Sequence, residues 1–139
     1  MSDDWKHIYN DQKVPKGFTG YLNESVVGTS FRCKDAIAWA KSKDISLILE
    51  REPDNKVDEN AIKVIGKSKG FFGTKTRHLG YVEKDLAQRL VKKDFVDKVY
   101  PWLRDIGIHP NEDAISIKYE LVVLNEFSKE LEKILRGID

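Results

Sequence analysis

The chain has 139 residues, 40% of them hydrophobic, which suits one compact domain with a modest core. Its 24 basic and 23 acidic side chains leave a net charge of +1, so no global field draws it to nucleic acid or anionic lipid and any such binding must be local. A single cysteine and three scattered histidines exclude an intramolecular disulfide and give no zinc-ligand spacing, and no apolar run is long enough for a secretory signal or a membrane span. A cytoplasmic protein without metal or other cofactor is expected.

Residues 1–17 mix charges with Pro15 and Gly17 and show no apolar periodicity, which predicts a flexible leader before a single domain over 18–139. The stretch from Phe18 to Phe31, with Val26, Val27 and Gly28, suits a short strand approached closely at the glycine. Lys34 to Lys43 is alanine-rich and free of breakers, a helix. Ile45 to Glu50 is a strand entering a turn at Pro53, Asp54 and Asn55, and the alternation of Ala61 to Ile65 returns as its partner.

The three glycines of residues 66–73 predict a mobile loop, followed by a short strand from His78 to Val82. Glu83 to Asp94 has Leu86, Ala87, Leu90 and Val91 at helical spacing, and a third helical stretch is expected from Phe95 until Pro101 interrupts it. Ala114 to Leu124 is the strongest strand signal. Asn125 is placed to cap a final helix with Phe127, Leu131, Ile134 and Leu135 on one stripe and Gly137 as its stop. The fold class is therefore β-rich α+β, with five or six strands and about three helices.

Little in this order points to catalysis. Neither a GxGxxG nor a phosphate loop is present, and no nucleophile elbow marks a serine. The acid pairs Glu50 with Glu52 and Asp58 with Glu59 have the chemistry to hold a divalent ion, yet beside a turn Asp58 and Asn60 are expected to bond backbone amides instead. Cys33 is expected to be a small buried residue, and the histidines and tryptophans packing or cover residues.

One local feature bears on binding. From Ala61 to Val82 the chain carries Lys63, Lys67, Lys69, Lys75 and Arg77 with no acid, interleaved with Phe71, Phe72, His78 and Tyr81. Such a mixture suits single-stranded nucleic acid, with cations on phosphates and rings on bases. The plainer alternative is a solvated loop whose two phenylalanines tuck into the core.

Three segments resemble the HIRAN domain family: Val26 to Phe31 (VVGTSF), Leu49 to Val64 (LEREPDNKVDENAIKV) and Leu79 to Val82 (LGYV). The central one, REPDN followed by DENAI, is the specific part. The resemblance implies a small OB-like barrel of about six strands with two to four flanking helices. It also implies binding of single-stranded DNA or DNA 3′ ends in repair or replication, without catalytic machinery, and a protein partner such as a helicase; no membrane is implied.

Position by position, Phe31 matches an aromatic that stacks on the terminal base. Asn55 and Asp58 match polar residues at the terminal nucleotide, where an acid accepts a bond from the 3′ hydroxyl. Tyr81 and Lys84 match positions near the backbone phosphate. Two positions depart from the pattern: Val57 stands where a second stacking aromatic is expected, and Ser30 where a basic residue is. Losing one side of a base sandwich costs on the order of 1–3 kcal/mol. The alternatives are a protein interaction module built on the same loop and the C-terminal helix, and a metal-dependent nuclease using Asp54, Asp58 and Glu59.

Overall fold

In a computed structural model the described residues are 4–137, with 22 and 23 described in backbone only. The first three residues of the expected leader and the last two of the expected domain lie outside them. Strand β1 is Lys6–Tyr9 and β2 is Phe18–Ser25, followed by a 3-10 turn over Thr29–Arg32 and helix α1, Cys33–Ala40. Strands β3, Lys43–Arg51, β4, Ile62–Gly70, and β5, Gly73–Tyr81, precede helix α2, Lys84–Lys92. Strands β6, Tyr100–Ile108, and β7, Ile115–Leu124, lead to α3, Ser128–Arg136.

The strands form two antiparallel sheets, one in the order β1-β6-β7-β2 and the other β3-β4-β5. The ladders do not close into the expected six-stranded barrel among the described residues; seven strands divide between two sheets, tied by an isolated bridge between Val27 and Tyr81. The core lies between the sheets and under the helices. Strand β7 supplies Ile115, Ile117, Tyr119, Leu121 and Val123 at period two, all buried, as its alternation predicts. Helix α3 adds buried Leu131 and Ile134 and ends at Gly137, whose φ of 71° is the left-handed conformation that favours glycine.

Four expectations are corrected. Residues 6–9 of the expected leader pair with β6, Lys6 opposite Ile108 through Tyr9 opposite Asp105. The expected loop at 66–73 is instead a continuous hairpin: β4 runs to Gly70 and only Phe71 and Phe72 turn. Gly66 is demanded by packing and not by mobility, because a Cβ there would lie 2.7 Å from the Trp39 ring. Trp39, on α1, is fully buried and donates its indole N–H to the Lys67 carbonyl at 3.0 Å.

After α2, Val96–Lys98 forms a single 3-10 turn, and Pro101 lies within β6 and not at the end of a helix. Its missing N–H is tolerated because β1 reaches only Asp105 to Ile108, leaving that end of β6 paired on one side. Finally, Asn125 caps no helix; its Oδ1 accepts the Thr19 hydroxyl at 2.6 Å, and a 3-10 turn over Asn125–Phe127 leads into α3.

Candidate functional site

Between β3 and β4 the backbone leaves the ladder, and asparagine and aspartate side chains take over its amides. Asn55 Oδ1 accepts the N–H groups of Val57 and Asp58, both at 2.9 Å, and Asp58 Oδ1 accepts that of Asn60 at 2.9 Å. Asn55 Nδ2 donates to Glu52 Oε1 at 2.6 Å, fastening the turn to the end of β3. Asp58 is thus held half-buried, with Oδ2 free of partners among the described residues. Val57, between them, is 95% exposed.

The opposite wall comes from the chain after β2. Gly28, at φ 80°, turns the backbone, and the flanking bridge exchanges two bonds, Val27 N–H to the Tyr81 carbonyl at 2.9 Å and Tyr81 N–H to the Val27 carbonyl at 2.8 Å. The Thr29 hydroxyl donates to the Ile115 carbonyl at 3.1 Å, and the 3-10 turn packs on β5. Phe31 projects from that turn 90% exposed. An apolar ring left so open on an otherwise ordered turn gains nothing from folding and is available to a ligand.

Behind the turn, Glu52 anchors a charged network outside the lining itself. Tyr81 donates its hydroxyl to Glu52 Oε1 at 2.8 Å, and Lys63 lies 3.6 Å from both Glu52 and Glu50. The bonds from Asn55 and Tyr81, with Lys63 beside them, hold the Glu52 carboxyl below its ordinary range. His78 donates its Nε2–H to the Gly80 carbonyl at 2.8 Å, and its ring meets Tyr81 edge-on at 4.8 Å. Partial burial, then the nearby Arg32 guanidinium, push His78 below its ordinary value, favouring the neutral imidazole. Helix α2 presents Lys84 because Glu83 caps it, accepting the amides of Asp85 at 3.0 Å and Leu86 at 2.9 Å.

The turn, the bridge and α2 enclose a concavity of about 320 Å³, lined among others by Val27, Asn55, Val57, Asp58, Tyr81 and Lys84. The structure therefore brings Asn55, Asp58, Tyr81 and Lys84 together in one lining, whereas Phe31 is not part of that lining and stands on the 3-10 turn that follows Val27. Lys63 joins them only through the acids that neutralise it, and the Tyr81 hydroxyl is committed to Glu52. Lys67 and Lys69 share the outer face of β4 with Lys63 but stand about 13 and 20 Å further along it. Arg77 is on the opposite face, paired with Asp35 of α1 at 2.6 Å, so it is not part of the notch.

Arg32 belongs to the network although the sequence did not single it out, while Glu52 was read there only as an ion-holding partner of Glu50 and His78 only as one ring of the basic run. Glu52 lies inside the REPDN segment, which also pointed near it. Glu50 and Glu52 share Lys63 and do not converge on an ion, and no three His, Cys, Asp or Glu side chains among the described residues group to hold a metal. Cys33, expected buried, is half-buried at the start of α1. A larger concavity of about 420 Å³, between β1, β3 and β6, contains none of the binding residues named from sequence. No helix among the described residues is long and apolar enough to cross a membrane.

The family model described as HIRAN domain matches residues 19–93. No curated protein matches the chain. Among solved structures the chain is similar to a crystal structure of the HIRAN domain of human HLTF, with 19% identity and a TM-score of 0.51 over 87% of this chain and 92% of that one. It is equally similar to an NMR structure of the HLTF HIRAN domain in its DNA-bound conformation, at 20% identity and a TM-score of 0.51 over 88% and 92% of the two chains. At such identity the likeness concerns the fold.

Proposed function

The chain belongs to the HIRAN domain family, and from that premise we propose that it is a DNA-binding module which takes the free 3′ end of a single strand in the notch between Phe31, Asp58 and Lys84. The observation that carries this reading is the Asp58 carboxylate, whose second oxygen has no partner among the described residues and which lines one concavity with Lys84, while the turn that follows Val27 of the same lining carries the almost fully exposed ring of Phe31. A terminal base stacks on the ring, the 3′ hydroxyl donates to Asp58, and Lys84 neutralises the adjoining phosphate. Because Val57 is aliphatic, the base is stacked on one side only. The relative described as DNA-bound supports the same reading by fold. Binding in repair or replication, with no reaction of its own, is the role assigned.

The test is a titration of matched oligonucleotides ending in a 3′ hydroxyl or a 3′ phosphate. A phosphate set against Asp58 meets like charge, and the hydroxyl-ended strand is expected to bind roughly tenfold tighter or more. Asp58→Ala should abolish that preference. Equal affinity for both ends, or no binding of either, removes the proposal.

A further inference from the structure

The tip of the β4–β5 hairpin carries two aromatic rings that the protein leaves in water. Phe71 is 94% and Phe72 96% exposed, and the rings meet edge-to-face at 4.8 Å and 77°. They form the whole two-residue turn, since Gly70 pairs directly with Gly73. Burying two phenylalanines is ordinarily favourable by some 1.5–3 kcal/mol each, so a tip with both exposed is spending apolar surface on something outside the chain.

The strand that leads there is basic. Alternation along β4 puts Lys63, Lys67 and Lys69 on its outer face, with Thr76 and Thr74 opposite the last two on β5 and Tyr81 opposite the first. No ion pair holds Lys67 or Lys69 among the described residues. The acids of neighbouring β3 nearest this face are Glu50, opposite Lys63, and Asp44, in the bulge between Lys43 and Ser46. The outer face therefore runs from the notch, across buried Ile65 and its partner His78, past two cations with no ion pair among the described residues and two hydroxyls, to a pair of open rings.

From this continuity we infer that the hairpin is a second contact for the same single strand, which leaves the notch 5′-ward along Lys67 and Lys69 and stacks an unpaired base on Phe71 or Phe72. This rests on the notch being a DNA site. From Lys63 to Gly70 the face is about 24 Å long at 3.4 Å per residue, or about seven stacked nucleotides at 3.4 Å each. The contact is thus invisible to a short ligand and present for a long one.

The experiment compares 3′-hydroxyl oligothymidylates of about four and about twelve nucleotides, roughly 14 and 41 Å when stacked, on the native chain and on Phe71→Ala/Phe72→Ala. The native chain is expected to bind the long strand more tightly. The double variant should lose roughly 5- to 100-fold on the long strand and stay within about twofold on the short one. Lys67→Gln/Lys69→Gln should lower the salt dependence for the long strand by about two counterions and for the short one, which reaches no further than Lys67, by at most about one.

An unaltered long-strand affinity in the tip variant overturns the inference. So does an equal loss for both lengths, which would assign the tip a structural role, or loss of anionic-vesicle binding with DNA binding intact. If the tip variant loses affinity for the long strand alone while the native chain binds 3′-hydroxyl and 3′-phosphate ends equally, the hairpin contact stands and the 3′-end reading of the notch falls. If it binds neither length, both fall.

Discussion

At the residue scale, Glu52 is the junction on which the notch is assembled. Its carboxylate accepts Asn55 from the turn and Tyr81 from β5 and faces Lys63 from β4, so one charge orients three elements. Because those bonds lower its pKa, the unfolded chain binds the proton more readily than the folded one. The stability that Glu52 contributes is complete above the ordinary carboxyl value of about 4.5 and is lost as pH falls through the depressed folded value. Glu52→Gln is therefore expected to melt below the native chain at neutral pH, with the gap in Tm closing under acid. A gap independent of pH would mean that the charge plays no part. The organising role of this glutamate was not legible in advance, although it was weighed with Glu50 as an ion-holding pair, because the role comes from side chains 3, 11 and 29 positions away that meet only after folding.

Elements hold the two walls of the notch in register, and the bridge from Val27 to Tyr81 is where they join. Gly80 is fixed by that approach: a Cβ there would overlap the Val27 carbonyl and lie 2.7 Å from Val26 Cγ1. Gly80→Ala should cost about 1–3 kcal/mol of stability by overpacking and, in the folded fraction, weaken oligonucleotide binding, measured by denaturant melts beside a titration. Unchanged affinity at reduced stability would detach the Phe31 turn from the site. What could be foreseen at this scale was set by periodicity. Strand β7 and the stripe of α3 declare themselves because one face of each is buried without interruption. Strand β6 does not, since Pro101 and Gly107 break its pattern and only the partners β1 and β7 give it a ladder. The hairpin tip was hidden for a similar reason: Gly66, Gly70 and Gly73 suggest a loop, whereas one glycine admits Trp39 and the others flank a two-residue turn.

For the molecule as a whole, a net charge near zero is reconciled with the proposed nucleic-acid binding by distribution. The acid-free run from Ala61 to Val82 folds into one hairpin, which gathers Lys67 and Lys69 on the face that leads from the notch and commits Arg77 to α1 on the other. A larger concavity opens between the two sheets at β1, β3 and β6, and Ser46 in its lining is the β3 neighbour of Lys67. The central claim is one of place, and amide chemical-shift mapping of the whole chain during titration with a 3′-hydroxyl single strand tests it most directly. Shifts concentrated in the turn after Gly28, at residues 55–58 and at residues 81–84 are the predicted result. Shifts confined to Ile8, Ser46 and Trp102 around the larger concavity, with those three segments unmoved, would contradict it.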